Sequence, residues 1–357
     1  MTKPISIKGK TFKNRIVFPP VQTDLAAGDG AATDRMINFY TRIAANNVGL
    51  TIVGATGISA SSRLGANSFC LYDQSHIAQA KHLFKAMGET GSIPAVQLNH
   101  GGRAMRLDLA GERLVGPSAI PSPRSKNTPV ALTTEEVEEI VGQFVQTAVN
   151  AKTAGAAMVE FHSAHSFLLN QFLSPAANKR TDKYGGTTEK RALIVREIIQ
   201  QAREKLGKDF IIGLRMSVEE FVENGLGVGE SLEMLNMFIE DGLDIIHVSG
   251  GGLDSGGAMI KAAAKGNLIK LAGIVKKQVA IPVIGVGGIL KLEQAEAAVS
   301  NGLVDMVAMG RALIADPELV TKTLDGRIDD VVECTGCMQC FVPSPEPGIT
   351  CPENENI

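Results

Sequence analysis

Two histidines at i and i+3, His162 and His165, close the run Met158-Val159-Glu160-Phe161-His162-Ser163-Ala164-His165. The run begins as a short apolar strand and opens into a loop, so both imidazoles can enter one site as neutral hydrogen-bond donors or as metal ligands. A two-histidine metal site needs a third ligand, and none can be assigned from the sequence. A packed pair of core histidines is the plainer alternative.

Other polar side chains also emerge from apolar runs. Gln22, Gln97 and Arg215 do so, and a flat heterocycle lying between them would receive a bidentate amide from Gln97 and a cation at its electron-accepting edge from Arg215. A structural ion pair is the other use for such an arginine. Three later segments, Ser249-Gly250-Gly251-Gly252, Gly285-Val286-Gly287-Gly288 and Met309-Gly310-Arg311, suit phosphate. Glycine lets backbone amides approach an anion, and arginine adds charge-assisted hydrogen bonds. Tight turns alone would also use these glycines. Phosphate loops combined with a heterocycle clamp point to FMN.

A third constellation lies at the end of the sequence. Four of the five cysteines are Cys334, Cys337, Cys340 and Cys351. In a reducing compartment such clustering favours metal ligation over disulfides. Three closely spaced thiolates and a fourth returned by a Pro-rich loop suit a [4Fe–4S] cluster, with tetrahedral zinc as the alternative. Cys70 stands alone and reads as a packed residue.

The elements that must position these groups alternate. Apolar runs at Arg15–Gln22, Leu50–Gly57, Ile93–Asn99, Ala156–His162, Phe210–Met216, Ile245–Ser249, Pro282–Gly287 and Met306–Gly310 read as strands. Helical patterns follow at roughly 33–47, 75–88, 134–154, 189–206, 230–241, 267–278, 292–300 and 317–324, the third behind a capping Thr133 or Thr134. Eight βα units predict an α/β fold, a (β/α)8 TIM barrel with its chemistry on the loops after the strands. An open doubly wound sheet is the runner-up, because periodicity does not report closure. Residues 100–132, with their Pro/Ser-rich run 116–123, predict a long loop over the catalytic face. From Val331 onward Pro343, Pro345, Pro347 and Pro352 exclude a continuous helix. The chain therefore divides into a barrel over residues 1–330 and a cysteine-rich iron–sulfur tail over 331–357.

A net charge of −3 and a pI near 6.1 offer no basic stripe for nucleic acid, and no stretch suggests a membrane surface. Neither a signal peptide nor a long apolar span is visible, so a cytoplasmic protein with a small-molecule or acyl-thioester substrate is expected. The sequence leaves the oligomeric state open.

Several runs resemble one known family. Lys13-Asn14-Arg15, the stretch Val96 to Arg103, the stretch His162 to Pro175, Asn178 to Gly186 and Met309-Gly310-Arg311 are similar to the old yellow enzyme family of FMN-dependent ene-reductases. With the cysteine tail, the chain is most similar to the branch containing 2,4-dienoyl-CoA reductase and trimethylamine dehydrogenase. The resemblance implies that Pro20, Val21, Gln22 and Ala55 line the flavin, that Gln97 holds its pyrimidine edge and that Arg215 lies near N1/O2. It places Ser249, Gly250, Gly287, Gly288, Gly310 and Arg311 at the phosphate end. His162 and His165 take the positions that bind the carbonyl oxygen of an activated alkene.

The sequence departs from the family's pattern in three ways. Phe167 stands where many relatives carry a proton-donating tyrosine. The third cysteine follows the second at the trimethylamine dehydrogenase spacing. Relatives continue into nucleotide-binding domains, whereas this sequence reaches Ile357 shortly after its last cysteine.

The expectation is an FMN-dependent reduction of an activated C=C bond with electrons relayed through the cluster, either from an electron-transfer protein or with NAD(P)H as external donor. The alternatives are oxidation of an amine or saturated substrate, and an electron-transfer subunit. Asp254, at the loop position where relatives place a catalytic histidine or aspartate, is expected as a protonated general acid.

Overall fold

The computed structural model of the chain describes residues 1–111, 113–124, 126–342, 347–355 and 357. Eight parallel strands follow the apolar runs: β1 (Ile16–Phe18), β2 (Leu50–Gly57), β3 (Ile93–Asn99), β4 (Met158–Ser163), β5 (Ile211–Ser217), β6 (Ile245–Ser249), β7 (Val283–Val286) and β8 (Met306–Ala308). Each pairs with the next, and β8 returns to β1 through Val307 opposite Ile16, so the sheet closes. The barrel expectation holds, and the open sheet is excluded.

Strand parity decides what enters the barrel, because successive side chains alternate between its two faces. Val17, Leu50, Ile52, Ala95, Met158, Ile211, Ile245, Ile284 and Met306 form an apolar plug with Ile7 and Phe12. The last two belong to an N-terminal hairpin, Ile5–Ile7 paired with Lys10–Phe12, which the sequence reading missed. The alternate residues, among them Phe18, Val96, Val159, Phe161, Leu214 and Val248, join the larger core beneath the helices.

Counting upward by two from the plug, the inward positions become polar. They are Gln97 and Asn99 on β3, Glu160 and His162 on β4, Arg215 and Ser217 on β5, and His247 and Ser249 on β6. Register then sets them abreast, with Gln97 opposite Glu160, and His162 opposite Arg215 opposite His247.

The helices stand close to their expected bounds. Thr134–Thr153 begins in a capping box, where Glu136 N–H donates to the Thr133 hydroxyl and Thr133 N–H donates to the Glu136 carboxylate. The first strand is shorter than read, since Pro19 and Pro20 have no N–H to extend the ladder. The final helical pattern, read as 317–324, is the helix Leu319–Leu324, which starts after Pro317. Three short helices among the described residues, Leu168–Leu173, Ala258–Ala264 and Arg311–Ala315, went unread.

Among its described residues, the long loop 100–132 carries a single turn of 3-10 helix and one short pairing, Val115–Gly116 with Val130–Ala131. After residue 331 only one turn of 3-10 helix, Gln339–Phe341, occurs among the described residues. Pro343 and Pro345 lie outside them. The tail packs on the barrel through buried Ile349, whose N–H donates to the Thr23 carbonyl at 2.7 Å.

Candidate active site

The two histidines meet at the barrel mouth. His162 is buried and His165 partly exposed, with ring centroids 5.1 Å apart and planes at 88°. His162 Nε2 stands 3.4 Å from His165 Nδ1, and His165 Nε2 stands 2.8 Å from the Ser249 hydroxyl. Ala164 N–H donates to His162 Nδ1 at 3.3 Å. A neutral His162 therefore carries its proton on Nε2, facing the space between the rings.

Desolvation is the largest influence on both imidazoles. It holds them well below the ordinary histidine pKa, and the nearby Arg215 charge adds to the effect. At neutral pH they are uncharged donors. Ser249 can donate or accept, so its hydroxyl serves either tautomer of His165.

The backbone beneath them is tightly held. His165 N–H donates to the Ser217 hydroxyl at 3.0 Å, and that hydroxyl donates to Gly251 O at 2.6 Å. His165 and Ser166 both have positive φ, 62° and 67°, a conformation that costs about 1–3 kcal/mol per non-glycine residue and needs such anchoring. Phe167, at the usual tyrosine position, packs edge-on against His162 with centroids 5.0 Å apart.

Below the histidines lies a polar set that the sequence reading only half found. Gln97 Nε2 donates to Glu160 Oε1 at 2.7 Å, and His247 Nδ1 faces Glu160 Oε2 at 3.0 Å. Glu160 and His247 were not read as site residues. The available signal was their parity, each lying two positions from an inward polar residue within an apolar strand. Arg215 is buried beside them, its basicity lowered by desolvation and partly restored by the Glu160 charge.

Asp254 departs from the role expected of it. Arg103 Nη2 donates to its Oδ2 at 2.7 Å and the Ser122 hydroxyl to its Oδ1 at 2.8 Å. With both oxygens accepting, the carboxylate is wired as a clasp between the 100–132 loop and the loop after β6. A proton donor needs one oxygen free of such donors.

The residues expected around FMN gather by two routes. Val21 bridges Gly54, and a Cβ built on Gly54 would stand 2.7 Å from Pro20 Cβ and 3.5 Å from Gln97 Oε1. Pro20, Val21, Ala55 and Gln97 thus share one corner, and Gln22 adjoins it with its Nε2 on Asp24 and Ser68. Gln22 Oε1, both amide atoms of Asn99, Arg215 Nε and His247 Nε2 are buried without a protein partner. Such groups at the mouth suit a polar cofactor, because each costs free energy until paired.

At the other side Gly250, Gly287, Gly288, Gly310 and Arg311 follow adjacent strands β6 to β8. Gly287 and Gly288 turn at φ 123° and 71°. Ala263, in the short helix over this end, leaves no room for a Cβ on Gly288. Arg311 Nη1 donates to Met338 Sδ at 3.2 Å, which brings the tail to this end of the site. Ser249, expected at the phosphate, is instead bonded to His165.

In the tail, burial first and then Cys334 and Cys351, against the opposing charge of Arg311, raise the Cys340 thiol pKa to about 11. Cys351 is raised first by burial, and Cys334 and Cys337 add to that. Asn354 N–H donates to the Cys351 carbonyl oxygen at 3.1 Å. Cys351 thus lies within electrostatic reach of Cys334, Cys337 and Cys340, and among the described residues no three His, Cys, Asp or Glu side chains converge on one ion's position. No helix among the described residues is long and apolar enough to cross a membrane.

Comparison with known proteins supports the same barrel. The chain is 38% identical over 332 residues to an NADH oxidase of Thermoanaerobacter brockii, covering 91% of this chain and 51% of that protein. It is 35% identical to an NADPH dehydrogenase of Clostridium acetobutylicum, covering 89% of this chain and 92% of the relative. The solved 2-naphthoyl-CoA reductase complex with 2-naphthoyl-CoA superposes with a TM-score of 0.91 at 29% identity, covering 95% of this chain and 54% of that one. The chain thus spans about half the length of some relatives and nearly all of others. With residues 1–330 matching its pattern throughout, the chain belongs to the NADH:flavin oxidoreductase / NADH oxidase family.

Proposed function

We propose that the protein is an FMN-dependent oxidoreductase that reduces an activated C=C bond in an enone, enoate or enoyl thioester. The observation that carries this reading is the pair of uncharged, anchored histidines above Gln97 and Arg215. A carbonyl oxygen placed between the imidazoles would accept the His162 Nε2 proton. It would accept a second from His165 Nδ1 once Ser249 donates to Nε2. Both hydrogen bonds strengthen as negative charge develops on that oxygen, which is the condition for lowering a barrier.

Pro20, Val21, Gln22, Ala55, Gln97 and Arg215 would hold the isoalloxazine, and Gly250, Gly287, Gly288, Gly310 and Arg311 the phosphate. When bound, FMN supplies the hydride. The names of the relatives support NAD(P)H as the external donor, and the acyl-CoA in the solved neighbour supports a thioester.

Anaerobic titration of prereduced holoprotein tests this reading. An enone or enoyl thioester should reoxidise the flavin. If an amine or saturated compound instead bleaches the oxidised flavin, the reaction runs the other way.

The tail is proposed as a [4Fe–4S] segment held by Cys334, Cys337, Cys340 and Cys351, relaying electrons between the flavin and a redox protein. Its support is the spacing of the four cysteines and the electrostatic reach of Cys351 to Cys334, Cys337 and Cys340. Iron and acid-labile sulfide should accompany anaerobically purified protein, whereas stoichiometric zinc without sulfide would reject the cluster. Flavin bleaching by NADH that is unchanged in a Cys337→Ala variant still holding FMN would reject the relay.

A further inference from the structure

We propose that Glu160 is the positioning residue of the cofactor site, its carboxylate deciding which atom of the Gln97 carboxamide faces the flavin. The inference rests on the FMN reading above. Glu160 is fully buried on β4 and touches two polar groups on different strands, Gln97 on β3 and His247 on β6.

A carboxylate only accepts hydrogen bonds. The Gln97 atom 2.7 Å from Glu160 Oε1 must therefore be the amide nitrogen, since the flipped amide would set two oxygens against each other. That leaves Gln97 with one free carbonyl oxygen and one free N–H. The oxygen lies on the Gly54 side, in the corner formed by Pro20 and the missing Gly54 side chain. The pyrimidine edge of an isoalloxazine reads carbonyl, N–H, carbonyl. Gln97 Oε1 meets the N–H and the remaining Nε2 hydrogen meets a carbonyl, a match that the opposite flip would turn into two repulsions.

The same reasoning fixes His247. Its Nδ1 carries the proton toward Glu160 Oε2, which leaves Nε2 a bare acceptor, and no partner for Nε2 exists among the described residues. Arg215 completes the set as the positive charge within electrostatic reach of Glu160. One carboxylate thus sets the polarity of an amide and of an imidazole and balances a guanidinium. A glutamine at 160 would offer oxygen or N–H to either neighbour, and the Gln97 flip would lose its determinant.

The test is a double-mutant cycle on FMN affinity, measured by fluorescence quenching as FMN is added to apoprotein. Glu160→Gln should weaken binding by about 10- to 100-fold in the wild-type background. In a Gln97→Ala background the same substitution should change it by less than about twofold, because the group through which Glu160 acts is gone. Equal effects in both backgrounds, or none in either, would overturn the proposal. If Glu160→Gln does not yield folded apoprotein, judged by its thermal transition, Glu160→Asp keeps the charge and withdraws it from Gln97, and the same comparison applies. Failure of the wild-type apoprotein to bind FMN would instead overturn the flavin reading itself. FMN binding that Gln97→Ala leaves unchanged would remove Gln97 from the isoalloxazine and end this inference alone.

Discussion

At the scale of single residues, the histidines carry the sharpest expectations. His162→Phe removes the Nε2 donor, and reoxidation of reduced holoprotein by an enone should slow by about 100-fold or more, measured by stopped flow. Acid should act on the fold through the same kind of group. Burial lowers His100 to about 4 and depresses His162, His165 and His247. Below the unfolded histidine pKa of about 6.5 the unfolded chain binds protons that the folded chain does not, so stability is fully present above that pH and drains as pH falls toward 4. For His100 alone the loss reaches roughly 3 kcal/mol across this window. The melting temperature should fall from pH 7 to pH 5, and His100→Asn should flatten part of the fall. His162 and His165 were legible because they stand together at a strand end. Glu160 was not, since its partners lie on two other strands and only the register introduces them.

Among the elements, the loops at the mouth are bound to one another. Arg103 and Ser122 from the 100–132 loop meet Asp254, whose own N–H donates to the Ser166 hydroxyl at 3.1 Å. The side chains of Arg103 and Asp254 are 6% and 9% exposed, so the ion pair is largely shielded from solvent. Asp254→Asn leaves the guanidinium without its counter-charge and should cost about 3 kcal/mol in urea unfolding. It should also speed proteolysis of the 100–132 loop, while the solvent isotope effect on flavin reoxidation stays unchanged. A changed isotope effect with unchanged stability would return Asp254 to acid catalysis. Most barrel strands were legible from apolar runs, because burial on both faces writes them continuously. The Leu168–Leu173 helix was not, as it is too short to show a period and is held by packing.

For the whole molecule, closure of the sheet brings its two chain-distant ends together, and the tail joins them on the cofactor face. Ile349 binds the Thr23 carbonyl after β1, Arg35 binds Pro347 O, and Asn354 Nδ2 binds Ile314 O after β8. If the tail holds a cluster, its metal is coupled to this docking. Cys337→Ser should strip iron and lower the melting temperature, and amide exchange should rise around Thr23 and Ile349 while β3 to β6 stay protected. The number of βα units was readable from the sequence. Where the tail sits was not, because two of its anchors are single hydrogen bonds between residues more than 300 positions apart, Arg35 with Pro347 and Thr23 with Ile349.

Gly252 lies against His165 in a short parallel bridge, and a Cβ there would fall 2.5 Å from the His165 carbonyl carbon. The loops after β4 and β6 are consequently one packed unit. Recombination between such barrels that exchanges either loop alone will break the seam, and a crossover library should move the two as a matched set.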